Sequence, residues 1–128
     1  MTVLIVGGRG QGKCRLAVRL FDLHEGDILD GTVCSPEEIS GAKAVNGLHL
    51  LTRRMLQERR APSALLPQLR GKIVICDELG CGVVPVEREL EDWREFTGRL
   101  CCDLAAEADI VIRVIAGLPQ VIKGTLPK

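Results

Sequence analysis

The stretch that most constrains this chain runs from residue 3 to residue 20: the apolar Val3-Leu4-Ile5-Val6, the turn Gly7-Gly8-Arg9-Gly10-Gln11-Gly12, and the helix-like Lys13-Cys14-Arg15-Leu16-Ala17-Val18-Arg19-Leu20. A buried-type strand that passes through glycines into an amphipathic helix is the opening of an α/β fold, in which helices cover a parallel sheet. Such a turn directs successive backbone N–H groups at one point. The positive end of the helix adds to that field and a lysine brings a mobile full charge, so a polyphosphate suits the place. The spacing follows G-x-x-x-x-G-K-[ST] at Gly7, Gly12 and Lys13 and departs from it at the last position, where Cys14 replaces the hydroxyl residue. The candidate nucleotide-binding residues are therefore Gly7, Gly8, Arg9, Gly10, Gln11, Gly12, Lys13 and Cys14. Magnesium prefers hard oxygen ligands, so the sulfur of Cys14 is not expected to hold it. A glycine-rich connection that binds nothing is the bland alternative. The dinucleotide fingerprint G-x-G-x-x-G fails, because its frames from Gly8 and Gly10 need glycine where Lys13 and Arg15 stand.

Size and charge narrow the partners. A chain of 128 residues is expected to form one nucleotide-binding domain spanning 1–128. Its 17 basic residues balance 17 acidic ones and it has no Tyr, one Trp and two Phe, so neither a basic excess nor an aromatic platform points to nucleic acid. The chain opens with a strand instead of a signal peptide, which makes its six cysteines reduced thiols and the expected location cytoplasmic. Cys76 and Cys81 lack a second C-x-x-C partner, so zinc is weakly supported. No apolar run approaches the length of a membrane span.

Further along, Ile28-Leu29 reads as a short strand closed by Asp30-Gly31, and His24 before it as a helix-end or surface residue. Ser35, Pro36 and Glu38 form a capping-box start signal. The threefold spacing of Ile39, Ala42, Val45, Leu48, Thr52 and Met55 predicts one long helix from there to about Gln57. His49 lies one residue round from that stripe and is either a packed or surface histidine or a functional one. Arg53-Arg54 and Arg59-Arg60 suit the negative end of the helix and are alternatively phosphate contacts.

Lys72-Ile73-Val74-Ile75-Cys76-Asp77-Glu78 is the second informative stretch: a buried strand whose carboxyl end carries two acids, where parallel sheets bind ligands. Asp77 and Glu78 are both candidates for the metal side, binding Mg²⁺ directly or through water or orienting the attacking group, with Asp77 taken as the metal ligand and Glu78 as a catalytic residue, and capping of the next turn as the alternative. Gly80-Cys81-Gly82-Val83-Val84-Pro85 is expected to be a substrate-touching loop. Leu90, Trp93, Phe96 or Thr97, Leu100 and Leu104 mark a second long helix within 87–107, with Trp93 placed in the core. A strand at Asp109–Ile115, a turn at Ala116-Gly117-Leu118-Pro119 and a short edge strand at Val121-Ile122-Lys123 close the chain.

The loop Gly7-Gly8…Gly12-Lys13, the segment Asp77-Glu78-Leu79-Gly80-Cys81-Gly82-Val83-Val84-Pro85, Thr97-Gly98-Arg99, and the ending Val114-Ile115-Ala116-Gly117-Leu118-Pro119…Ile122-Lys123 resemble the adenosylcobinamide kinase / adenosylcobinamide-phosphate guanylyltransferase family. The resemblance covers the first twenty or so residues and the second half of the chain. It implies a P-loop NTPase-type three-layer α/β sandwich with a mainly parallel central sheet, often assembled as a trimer, hence a homo-oligomer. It also implies two reactions in cobalamin biosynthesis. A nucleoside triphosphate, ATP or GTP, phosphorylates the hydroxyl of the corrinoid's aminopropanol tail; GTP then donates GMP to that phosphate through a guanylylated histidine. Carried over to this chain, Lys13 and the loop glycines hold the triphosphate, the family's glutamate falls on Glu78, and His49 is the histidine in the part of the chain where the nucleotide acceptor lies. The catalytic set so implied is Lys13, Glu78 and His49, with Mg²⁺ as cofactor. A catalytically reduced nucleotide-binding subunit of corrinoid metabolism and a kinase for another small alcohol are the alternatives.

Overall fold

In the computed structural model, which describes residues 1–79 and 87–127, the first strand β1 (Val3–Gly7) lies inside a six-stranded sheet. The others are β2 (Ile28–Asp30), β3 (Ala44–Asn46), β4 (Ile73–Asp77), β5 (Ile110–Ile115) and β6 (Leu118–Lys123), in the order β2-β3-β4-β1-β5-β6. The first five strands pair in parallel and β6 returns antiparallel to β5 at the edge. Among the described residues four α-helices accompany them: α1 (Lys13–Phe21), α2 (Leu48–Gln57), α3 (Leu66–Leu69) and α4 (Arg88–Glu107).

Strand periodicity sets the layers. Val3 and Ile5 of β1 point to the face covered by Leu16 and Ala17 of α1, while Leu4 points to the face covered by Leu48 and Leu51 of α2 and Leu100 and Leu104 of α4. Continuous apolar strands with helices on both faces are what a parallel sheet requires, and the result is a three-layer α/β fold. β1 has β4 on one side and β5 on the other, so the chain reverses its direction of winding there, the place where open α/β sheets bind ligands beyond the strands' carboxyl ends.

The middle of the chain departs from the sequence reading. The single helix expected from Ser35 to Gln57 is instead a 3₁₀ turn over Pro36–Gly41, the strand β3 and the helix α2. The capping box does form, with the Ser35 N–H donating to Glu38 Oε1 at 2.8 Å, but the turn that it starts is short. Two forces break the expected helix. Gly47 adopts φ 82°, a left-handed conformation that no helix interior accommodates, and Ala44-Val45-Asn46 is needed between β2 and β4 to complete the sheet. Ile39, Ala42 and Val45 are buried all the same, which is why their spacing imitated a helical stripe.

The ending was also read too short. Only Ala116 and Gly117, at φ 51° and 77°, make the turn; Leu118 and Pro119 already belong to β6, where a proline is tolerated because the strand is at the edge. His24 is exposed and caps a 3₁₀ turn at Glu25–Asp27. The predicted loop Gly80–Pro85 lies outside the described residues.

Candidate functional site

The loop that follows β1 is shaped by its own backbone. Gly12 takes φ 84° at the N-cap of α1, a conformation that needs glycine, and delivers Lys13 as the first helical residue. Gly7 ends β1 level with Asp77 of β4, so the start of the loop and the strand-end acid are neighbours by register. Gln11 ties the loop to the β5–β6 turn: its carbonyl accepts from the Gly117 N–H at 2.8 Å and its side-chain oxygen accepts from the Ala116 N–H at 2.6 Å. Arg9 and Gly10 are exposed at the loop's tip and Gly8 is half-buried.

Lys13 bends back under this loop. Its ammonium lies 2.8 Å from the Gly8 carbonyl and 2.7 Å from Asp77 Oδ1, and only 7% of its side chain is exposed. A nearly buried lysine between a carbonyl and a carboxylate is a fixed positive charge at the foot of the loop. Cys14, the residue after it, is half-buried against the core beneath α1. That burial pushes its thiol up from the ordinary value, so sulfur there is a neutral, soft group.

His49, on the first turn of α2, completes the cluster. Its Nδ1 accepts the Asp77 backbone N–H at 3.2 Å, and its Nε2 lies 3.3 Å from Asp77 Oδ2. Accepting at one nitrogen and facing a carboxylate with the other makes it the neutral Nε2–H tautomer. Burial lowers its pKa from the ordinary value; the Lys13 charge acts in the same direction and Asp77 opposes both. Asp77 thus joins Lys13 on one carboxylate oxygen and His49 on the other.

His49 is also fixed from behind. The indole Nε1–H of Trp93 on α4 donates to the His49 carbonyl at 2.7 Å, and the Thr52 hydroxyl reaches the same carbonyl at 3.0 Å. Thr52 and Thr97, 0% and 1% exposed, share a hydroxyl bond at 2.7 Å between α2 and α4. Trp93 itself is half-buried instead of lying in the core as its spacing suggested: Arg53 stands 5.1 Å from its ring centroid and both line a recess of about 410 Å³.

The remaining candidates separate. Glu78 keeps its backbone beside the loop, its N–H donating to the Gly7 carbonyl at 2.9 Å, while its carboxylate meets the Arg113 guanidinium at 2.8 and 3.3 Å. Arg54 is not turned to a ligand site; it donates to the Gly31 and Cys34 carbonyls at 2.9 and 2.7 Å. Arg60 pairs with Glu37 and Arg99 with Glu95, one turn away on α4. Among the described residues no group of three or more His, Cys, Asp or Glu side chains is arranged to hold a metal ion by itself, and no helix is long and apolar enough to cross a membrane. What the sequence did not show is the packing role of Thr52, Trp93 and Thr97, because the bonds that reveal it join residues more than forty positions apart.

No curated protein matches the chain. A family model does: residues 39–122 match cobinamide kinase / cobinamide phosphate guanyltransferase. The matched span takes in His49, Asp77, Glu78 and Trp93 and begins after the Gly7–Cys14 loop.

Proposed function

The chain belongs to the cobinamide kinase / cobinamide phosphate guanyltransferase family, and from that premise we propose that it phosphorylates cobinamide with a nucleoside triphosphate and transfers GMP to the product. The single observation that carries the reading to particular residues is the Lys13–Asp77–His49 cluster at the carboxyl ends of β1 and β4.

In this reading the fold is of the P-loop nucleotide-binding type and residues 1–128 act as one domain. The loop amides and Lys13 take the β- and γ-phosphates, whose charge grows as the transferring group departs. Lys13 then exchanges Asp77 Oδ1 for phosphate oxygen. Asp77 would hold Mg²⁺, since a single carboxylate suits a cation that dehydrates reluctantly, and the half-buried sulfur of Cys14 would contribute nothing to it. The ion's chemistry is to offset phosphate charge. In the kinase step the acceptor hydroxyl oxygen bonds to the γ-phosphorus, the bond to the bridging oxygen breaks and the nucleoside diphosphate leaves, and Glu78 takes the hydroxyl proton once its carboxylate gives up the Arg113 guanidinium.

The guanylyl step uses His49. An imidazole nitrogen bonds to the α-phosphorus of GTP and pyrophosphate leaves; a phosphate oxygen of the acceptor then displaces the imidazole and carries GMP away. Attack requires one ring nitrogen to give up its contact with Asp77. The other stays on the protein, and a proton shared with the carboxylate offsets the positive charge that builds on the ring. A nucleophile must be neutral, and the burial that lowers the His49 pKa favours that form.

The test is turnover. With Mg²⁺ and labelled ATP or GTP, nucleoside diphosphate and labelled cobinamide should appear only when cobinamide is present. Tight nucleotide binding without transfer to cobinamide contradicts the reading and favours a binding subunit.

A further inference from the structure

Between α2 and the first half of α4 lies the recess of about 410 Å³, and its lining does not resemble a phosphate site. Its lining is mixed, and the apolar and aromatic part of it is Leu56, Leu90, Trp93 and Phe96, with Phe96 left 41% exposed. Arg53, stacked on the indole at 5.1 Å, extends this part as a flat surface. The rest of the lining supplies donors from Gln57 and Arg59 and acceptors from Glu87, Glu89 and Asp92. A polyphosphate would meet those carboxylates unfavourably. Neutral carboxamides, which donate and accept from one group, match a rim of both kinds.

The recess is also joined to the cluster. Arg53 follows His49 by one helical turn, a rise of roughly 6 Å, and Trp93, which lines the recess, donates directly to the His49 carbonyl. The recess and the cluster thus share α2 and Trp93, and a ligand with a flat face on Trp93 and Phe96 lies about one helical turn from His49. The volume is that of a ligand site and takes one edge of a larger molecule. We infer that this recess binds the corrinoid acceptor, one face of its ring on Trp93, Phe96 and Leu90 and its peripheral carboxamides on the polar rim. The inference rests on the functional reading above, since that reading supplies a flat macrocycle bearing carboxamides as the substrate.

Equilibrium dialysis with dicyanocobinamide, read by the absorbance of the corrinoid, tests it. Leu90→Arg fills the apolar part with a charged chain and should weaken cobinamide affinity about tenfold or more. Phe96→Ala, at a position exposed enough to leave folding intact, should weaken it less but measurably. GTP affinity should stay that of the wild type in both variants, since neither residue belongs to the loop or the cluster. Wild-type cobinamide affinity in both variants overturns the placement and leaves the functional reading standing. Failure of the wild-type protein to bind cobinamide, with or without GTP, overturns the functional reading and the recess assignment together.

Discussion

Asp77 separates two regions that are built on different principles. On the loop side, the position of Lys13 is set by local backbone: a strand end, a left-handed Gly12 and the start of α1. On the histidine side, the position of His49 is set by side chains from a distant helix, Trp93 above its carbonyl and the Thr52–Thr97 pair below. The first arrangement gives a loop whose shape depends on few side chains, and on the proposed reading this loop is the phosphate site. The second makes the orientation of His49, the nucleophile of the proposed guanylyl step, depend on how two helices pack, so it can be loosened without touching the loop.

That contrast can be broken most severely at its two active groups. His49→Ala should abolish covalent GMP attachment while leaving phosphorylation of cobinamide measurable, as separate assays of the two half-reactions would register; equal loss of both would merge the two regions into one. Lys13→Ala should reduce both reactions by about a hundredfold or more, because a fixed charge aimed at the transferring phosphate acts mainly in the transition state. A smaller effect is expected at the helix contact. Thr97→Val removes the 2.7 Å hydroxyl bond between the helices while the Thr52 hydroxyl keeps the His49 carbonyl and the Trp93 indole N–H, and should cost about 0.5–1.5 kcal/mol of stability in denaturant unfolding. In that variant guanylyl transfer should fall more than phosphorylation, and equal retention of both would show that the α2–α4 contact does not orient His49.

Legibility followed the same division. The β1–loop–α1 unit and the acids after β4 stood out because each is contiguous in sequence and its chemistry repeats at fixed spacing. β3 was hidden because Ile39, Ala42 and Val45 are buried at threefold spacing for reasons of the sheet, and the left-handed Gly47 that ends the strand carried no decisive signal in a run of helix-compatible residues. His49 looked ordinary for a related reason. Its distinguishing contacts come from Asp77 and Trp93, 28 and 44 positions away. Periodicity registers which residues are buried, not which long-range partner buries them, and Trp93 accordingly looked like core when it forms the wall of a recess.

The smallest expected effect concerns the loop's one departure from its motif. Cys14→Ser restores a hard oxygen where a neutral, half-buried thiol now stands and should strengthen Mg²⁺-dependent nucleotide affinity several-fold, seen by titrating nucleotide with and without the ion. Unchanged affinity would count against the reading that the missing hydroxyl at position 14 limits metal binding.

The central claim is that Lys13, Asp77 and His49 form one centre that acts on a bound triphosphate. Incubation with GTP labelled at the α-phosphate, followed by proteolysis and mass mapping of the acid-labile adduct, tests it most directly. The account predicts a single GMP phosphoramidate on His49 that is discharged by phosphorylated cobinamide. Label on any other residue, or no adduct while cobinamide phosphate still accepts GMP, would contradict it.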